Sequence, residues 1–378
     1  MQKESKNKLI KIIKAAVIDG SFDGISDVPD DTLKEMFRLA GLHQMTHLLA
    51  YYRMKVGDER FAKPFWGSVK LTAKQVHAAE SVGRGLDEKN IPYIILKGYV
   101  LRRLYPENWM RNGCDIDVLV DENDLASAGA VLESLGFEKQ EGLSGHDVSY
   151  LQGAVHIELH YTLIEDHVMP PVAKVLARVW ELSVPGPDGG RVMCDEMFYF
   201  YHVAHMAKHF GNGGCGIRPV LDLWLLNHRL DHSEEKRDAL LEEGGLLKFE
   251  RGLRALAEYW FADGSPEGLE TLERFILSGG AYGRTEGSVL VKRAQKGGRI
   301  RYILSRLFAP YSLLKRYYPI LEKHPYLLPV YEVKRWIDAM RRDGKKYRKE
   351  LRANLKKSNN PDEMNNMLES LGLLGENK

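Results

Sequence analysis

Cys114-Asp115-Ile116-Asp117-Val118-Leu119-Val120 sets Asp115 and Asp117 against Ile116 and Val118 in strict alternation. In a strand every second side chain faces the same way, so the segment reads as a strand with one apolar and one acidic face. Upstream, Ile91-Pro92-Tyr93-Ile94-Ile95-Leu96 is a short apolar run rich in β-formers that reads as a buried strand, and Gly98 opens a helix to about Tyr105. Downstream, Asp121 is placed to cap a helix carrying Leu125, Ala128, Val131, Leu132 and Leu135, which stops at Gly136. Val148 to Leu151, a turn at Gln152-Gly153, and Ala154 to Tyr161 then read as a hairpin with Val155, Ile157 and Leu159 toward the core. The same alternation puts His156, Glu158 and His160 on the opposite face. Strand, helix, strand, helix and hairpin in succession predict a small mixed α/β unit.

Three carboxylates, Asp115, Asp117 and Glu158, can converge on that scaffold. Such a cluster repels itself unless something positive sits in it, and a hard divalent cation with oxygen preference is the natural occupant. The plain alternative, a solvated strand face with scattered acids, is the commoner fate of a bare D-x-D. The strand-helix-strand order and Glu158 on an alternating strand favour the metal site, which points to metal-assisted phosphoryl chemistry.

The chain to either side is helical in pattern. Leu9, Ile10, Ile12, Ile13, Ala16 and Val17 fall at helical spacing, Asp30-Asp31 opens a second helix ended by Gly41, a third begins near Gln44, and a longer one runs from about Pro64 to Lys89. Pro185-Gly186-Pro187-Asp188-Gly189-Gly190 is the clearest turn-rich break. Beyond it Asp195 caps an apolar helix to about Phe210, Gly211-Asn212-Gly213-Gly214 separates it from the next, Pro219 to about Arg229, and helical patterns continue. The expected divisions are a helical region over 1–89, the α/β core over 90–194, a helical region over 195–357 and a polar, mobile tail over 358–378.

At 378 residues and 44% hydrophobic content the chain is long enough for two or three structural units. Cys114, Cys194 and Cys215 show no C-x-x-C pair, which argues against a disulfide framework or a thiolate zinc site and fits a reducing cytoplasm. Met1 to Ile18 is broken by Glu4, Asn7 and lysines, unlike a signal peptide, and no window approaches the roughly 20 apolar residues of a membrane span. Charge is uneven: from Lys292 to Lys357 roughly twenty Lys and Arg face about five Asp and Glu, leaving the preceding chain acidic by about ten. Basic residues interleave with tyrosines there, in Arg299-Ile300-Arg301-Tyr302, Lys315-Arg316-Tyr317-Tyr318 and Lys345-Lys346-Tyr347-Arg348-Lys349. Such runs can track a nucleic-acid backbone or lie on an anionic membrane, and more often are the wet face of helices.

Further candidates surround the acidic set. Arg111, four residues before Asp115, reaches either a phosphate or, as a structural partner, the carboxylates of Asp115 or Asp117. His202, His205 and His209 share one face of a helix, while Arg218 and Asp222 sit four apart on the next. Three histidines on one helix rarely complete a zinc tetrahedron, so the open readings are a cleft lined by His205, His209, Arg218 and Asp222 and a polar seam between two helices. His156 and His160 flank Glu158, where the open readings are that they tune the site, bind phosphate or are plain edge-strand residues.

Leu96-Lys97-Gly98, Arg111, Asp115-Ile116-Asp117-Val118-Leu119-Val120 and Ile157-Glu158-Leu159-His160 resemble the core of the DNA polymerase β-like nucleotidyltransferase superfamily and, more narrowly, the bacterial family usually called uncharacterised nucleotidyltransferase. The resemblance covers about residues 40 to 230 and, less sharply, Tyr318-Pro319 to Arg335. It implies an α+β fold: a small mixed-sheet nucleotidyltransferase core flanked by N-terminal and C-terminal helical regions. It implies that Asp115, Asp117 and Glu158 bind two Mg²⁺ ions, with Mn²⁺ a substitute, and that an NMP group passes from an NTP, ATP first, to an acceptor hydroxyl. Lys97, Gly98, Arg111, His205, His209, Arg218 and Asp222 would bind the nucleotide, the last four because the family carries a similar His-x-x-x-His and Arg-x-x-x-Asp pairing. A small-molecule acceptor ranks ahead of nucleic acid. The chain departs from the superfamily where Gly-Ser would hold the triphosphate: Lys97-Gly98-Tyr99 stands there, with Lys97 either supplying the charge instead or pointing to solvent as a strand-end lysine, while Gly98 permits close backbone approach. The competing readings are a non-catalytic nucleotide sensor or toxin-antitoxin-like interaction module, and a metal-dependent phosphohydrolase.

Overall fold

The computed structural model describes residues 2–25, 28–140, 147–165, 167–355 and 361–374. They fall into two compact units, Met1–Met206 with Ile217–Glu267, and Ala207–Gly216 with Gly268–Lys378.

The first unit holds helices α1 (Gln2–Lys14), α2 (Asp30–Leu42), α3 (Thr46–Lys55), α4 (Ala62–Glu88), α5 (Lys97–Leu101), α6 (Leu125–Ser134), α7 (Pro170–Leu176), most of α8 (Asp195–Gly211), α9 (Ile217–Arg229), α10 (Glu234–Glu243) and α11 (Leu247–Phe261). Its strands are β1 (Tyr93–Ile95), β2 (Ile116–Val120), β3 (Glu138–Lys139), β4 (Asp147–Gln152), β5 (Val155–His160), β6 (Ser183–Pro185) and β7 (Arg191–Met193), in one mixed sheet of order β3-β4-β5-β2-β1-β7-β6. β2 runs antiparallel to β1 and parallel to β5. The fold is thus the expected α+β, a mixed sheet flanked by helices.

Alternation explains the layering. Ile116, Val118 and Val120 of β2 join Val155, Ile157 and Leu159 of β5 in a buried cluster with Ala79, Val82 and Leu86 of α4 and Val131 and Leu132 of α6. Asp117 and Glu158, in register across the parallel pair, point to the other face. Each fully buried Val, Ile or Leu contributes about 1.5–3 kcal/mol, so a one-residue slip of β2, which would put the carboxylates in the core, is strongly disfavoured.

Some elements differ from the sequence expectation. The hairpin turn is Gly153-Ala154, one residue later, with Gly153 at φ 58 in the left-handed conformation that a tight two-residue turn requires. The turn-rich stretch 185–190 marks no break between units: it links β6 to β7, and β7 pairs with β1. The helix expected from Gly98 to Tyr105 is α5 followed by a 3₁₀ turn over Arg102–Leu104.

The second unit continues from the end of α8 with α12 (Glu270–Gly279), α13 (Thr285–Gln295), α14 (Arg299–Leu307), α15 (Tyr311–Tyr317), α16 (Ile320–Lys323), α17 (Leu328–Leu355) and α18 (Pro361–Ser370). The glycine-rich stretch after α8 is a packing device, since a Cβ on Gly214 (φ 147) would lie 2.7 Å from the Gly279 Cα. The tail expected to be mobile over 358–378 carries α18, which buries Met367 and Leu368, followed by the buried Leu371, and meets Arg274 through Glu363. Its apolar residues recur at helical spacing, enough to dock a short polar helix. Of that tail, 358–360 and 375–378 lie outside the described residues.

Candidate active site

Asp115 stands one residue before β2, Asp117 within it, and Glu158 beside Asp117 on β5. Two overlapping groups of side chains each bring one donor atom apiece within 4.8 Å of one another: Asp115, His156 and Glu158, and Asp117, Glu158 and His160. Glu158 belongs to both.

The charges in this cluster do not balance. Lys97, the first residue of α5, holds its Nζ 3.7 Å from the Asp117 Oδ2, and the His160 Nε2 lies 3.3 Å from the Asp117 Oδ1 and 3.5 Å from the Glu158 Oε2. Burial alone would raise the Asp117 carboxyl; Lys97 and His160 outweigh it and hold the group below the usual carboxylate range. Burial likewise disfavours the imidazolium of His160, but hydrogen bonds to Asp117 and Glu158 push it up to about 9. Burial lowers the Lys97 ammonium, against the pull of Asp117 and Asp115. At Asp115 the balance goes the other way: burial, then Asp117 and Glu158, raise its carboxyl, and Lys97 and His156 offset this only in part. Three carboxylates against two cations leave negative charge uncompensated at the end nearest Asp115. This oxygen-rich donor set fits a hard divalent cation, which would relieve the repulsion on Asp115.

Sequence reading missed Tyr201, which sits in the apolar stretch of α8. It is buried beneath Lys97, whose Nζ is 5.9 Å from the ring centre, and burial followed by Asp117, Asp115 and Glu158 drives its hydroxyl far above the ordinary range.

Arg111 pairs with neither Asp115 nor Asp117. Its Nε and Nη2 donate to Oδ1 and Oδ2 of Asp222 at 3.3 and 3.0 Å, and the Tyr105 hydroxyl donates to Oδ1 at 2.8 Å. Asp222 is completely buried; burial would raise its carboxyl, yet Arg111 and the neighbouring His202 hold it low. Arg218, four residues from Asp222, donates instead to the Asn112 carbonyl at 2.7 Å. Gly98 is packed closely, since a Cβ there would lie 3.3 Å from the Arg111 Nη1.

These contacts reveal a clasp on the chain leading into Asp115. Four successive carbonyls are each taken by a different side chain: Met110 by the His47 Nε2 at 2.7 Å, Arg111 by the Arg102 Nε at 3.1 Å, Asn112 by Arg218, and Gly113 by the Gln75 Nε2 at 3.0 Å. Arg102 also bonds the Gln75 side-chain oxygen. A loop that cannot satisfy its own carbonyls is thereby fixed by α3, α4, α9 and the turn after α5.

The histidines of α8 separate. His202 is buried and meets the Pro219 carbonyl at 3.0 Å, and burial lowers its imidazole against the pull of Asp222, which is the polar seam between α8 and α9. His205 is half-buried three residues on, and His209 lies in the part of the helix that belongs to the second unit. Among the described residues, the two groups at the acidic cluster are the ones that gather three metal-ligating side chains.

A family model described as "Uncharacterised nucleotidyltransferase" matches residues 34–262. No curated protein matches the chain. Among solved structures, the solution structure of the antibiotic-resistance factor ANT(2'')-Ia is 17% identical and aligns over 44% of this chain and 89% of its own, with a TM-score of 0.35.

Proposed function

The chain belongs to the uncharacterised nucleotidyltransferase family, and from that premise we propose that it moves an NMP group from an NTP to an acceptor hydroxyl, using Mg²⁺ held by Asp115, Asp117 and Glu158. The observation that carries this reading is the parallel β2–β5 register, which sets Asp117 beside Glu158 and makes Glu158 common to two donor groups. Two groups sharing one carboxylate would suit a pair of ions, and Mn²⁺ would serve in place of Mg²⁺. Bound there, the metal neutralises charge on the phosphates and on the attacking and leaving oxygens.

The acceptor oxygen bonds to the α-phosphorus as the bond from that phosphorus to the bridging oxygen breaks, and pyrophosphate leaves. The acceptor proton passes to a carboxylate, for which Glu158 is the choice. Lys97 turns from Asp117 toward the triphosphate, and Gly98 lets the backbone approach it. Arg111, Arg218 and Asp222, expected to line the nucleotide cleft, act by holding the loop that aims Asp115; their bonds to Asp222 and the Asn112 carbonyl support this part. Catalysis then rests on alignment and charge, without a covalent enzyme intermediate. The preferred acceptor is a small molecule.

Calorimetric titration of ATP, GTP, CTP and UTP, each with Mg²⁺, into the wild type and into Asp115→Ala with Asp117→Ala tests the proposal. Metal-dependent binding that vanishes in the double variant is expected and identifies the donor. A folded wild type that binds none of the four overturns it.

A further inference from the structure

The second unit carries an exposed apolar surface. Among the described residues, twelve of the eighteen exposed large hydrophobic side chains lie between Ile300 and Met340. They are ordered. On α14 and its C-cap, Ile300, Leu304, Leu307 and Phe308 are 74%, 48%, 43% and 58% exposed, and their spacing of 4, 3 and 1 residues keeps them within one face of a helix. On α17, Val330, Val333, Ile337 and Met340 repeat the device at spacings of 3, 4 and 3. The two helices touch: the Trp336 Nε1 donates to the Leu307 carbonyl at 2.8 Å, and the Phe308 and Trp336 rings lie 6.3 Å apart. Between them opens a cavity of about 340 Å³ whose walls include Tyr302, Ile303, Leu307, Trp336 and Met340.

Cations frame this apolar surface. Arg299 and Arg301 begin α14, and beyond Met340 the exposed face of α17 continues in Arg341, Lys345 and Arg348. Lys292 to Lys357 holds about twenty basic against about five acidic residues. A contiguous apolar surface rimmed by charge marks an interaction site, and its charge selects the partner. Seven of the eight side chains on these two faces are aliphatic, Phe308 being the exception, and aliphatic groups have nothing to stack on a base, so the faces of α14 and α17 speak for lipid over RNA. A helix with an apolar face flanked by Arg and Lys is the form that lies in the headgroup region of an anionic bilayer.

We propose that the second unit docks on anionic membranes through the exposed faces of α14 and α17, with the cavity between them receiving an acyl segment. The docking is peripheral, since no helix among the described residues is long and apolar enough to cross a membrane. It is independent of the nucleotidyl-transfer reading.

Co-sedimentation of the full chain with phosphatidylcholine vesicles, and with the same vesicles containing phosphatidylglycerol, tests it. The expected result is pelleting with the anionic vesicles, little with the neutral ones, and release as salt rises. Ile300→Glu with Leu304→Glu should weaken vesicle binding by about tenfold or more, with circular dichroism unchanged because both side chains are exposed. Arg341→Glu with Lys345→Glu is the second variant, expected to weaken anionic binding without altering the apolar face. Equal pelleting of wild type and both variants, absence of wild-type pelleting, retention on RNA in place of vesicles, or a dimer that Leu304→Glu dissociates would each overturn the proposal.

Discussion

Two clusters of charge adjoin in the first unit and obey opposite rules. Around Asp222, Arg111 is matched by a carboxylate and Arg102 and Arg218 by backbone carbonyls. Around Asp117, Lys97 and His160 pair with the carboxylates, while Asp115 is left with its carboxyl raised by burial and like charge, against the weaker pull of Lys97 and His156. A buried charge paired with its opposite, as Arg111 is with Asp222, behaves as scaffold, whereas a carboxylate raised by its like-charged neighbours is stabilised by a ligand that brings counter-charge.

The comparison breaks most decisively at Asp222. Asp222→Ala strands the buried Arg111 guanidinium and should cost about 3–5 kcal/mol of stability, read by denaturant unfolding. A loss under 1 kcal/mol would mean that the pair is no scaffold. Asp115→Asn should do the reverse: metal-dependent nucleotide turnover falls by about 10²–10³-fold, while the melting temperature holds or rises because a like charge is gone. A marked fall in melting temperature would put Asp115 with the scaffold.

His47 sharpens the comparison through pH. Buried with its Nε2–H donated to the Met110 carbonyl, it is lowered to about 4 by burial. Since its folded pKa lies below the unfolded value of about 6.5, its contribution is fully present above pH 6.5 and is lost as pH falls toward 4. Between pH 7.5 and pH 5 this amounts to about 2 kcal/mol, and His47→Gln, which retains a donor, should flatten that part of the stability profile. A profile of unchanged slope would show that the imidazole is not held neutral. The smallest effect is expected at Gly98, where a Cβ would crowd the Arg111 Nη1 at 3.3 Å. Gly98→Ala should cost stability less than about 1 kcal/mol but weaken triphosphate binding, separable by running unfolding and calorimetry on the same variant.

Much of the core could be read in advance. Alternation in 114–120 and 154–161 correctly divides core from acidic face, because it reports a geometry each strand carries locally. Spacing offers Arg111 a phosphate or the carboxylates of Asp115 or Asp117, and Arg218 with Asp222 a cleft or a polar seam; the bonds run from Arg111 to Asp222 and from Arg218 to the Asn112 carbonyl. Spacing along a helix shows which residues share a face, not which partner a distant loop will offer. Tyr201 was hidden for a related reason, as one more aromatic in a run of buried ones.

Local order therefore belongs to the chain's own pattern: the strands β1, β2, β4 and β5, the two faces of β2 and β5 and the identity of the three acids follow from dihedral periodicity and side-chain chemistry within a few residues. The caps do not: Asp121 caps a 3₁₀ turn ahead of α6, and Asp195 is the first residue of α8. Tertiary closure alone brings Glu158 beside Asp117, 41 positions earlier and parallel to it, and supplies the clasp. Gln75 meets Gly113 across 38 residues, His47 meets Met110 across 63, and Arg218 meets Asn112 across 106. Each of those bonds satisfies a carbonyl that the loop cannot satisfy itself, so its partner is set by which helices the core brings within reach.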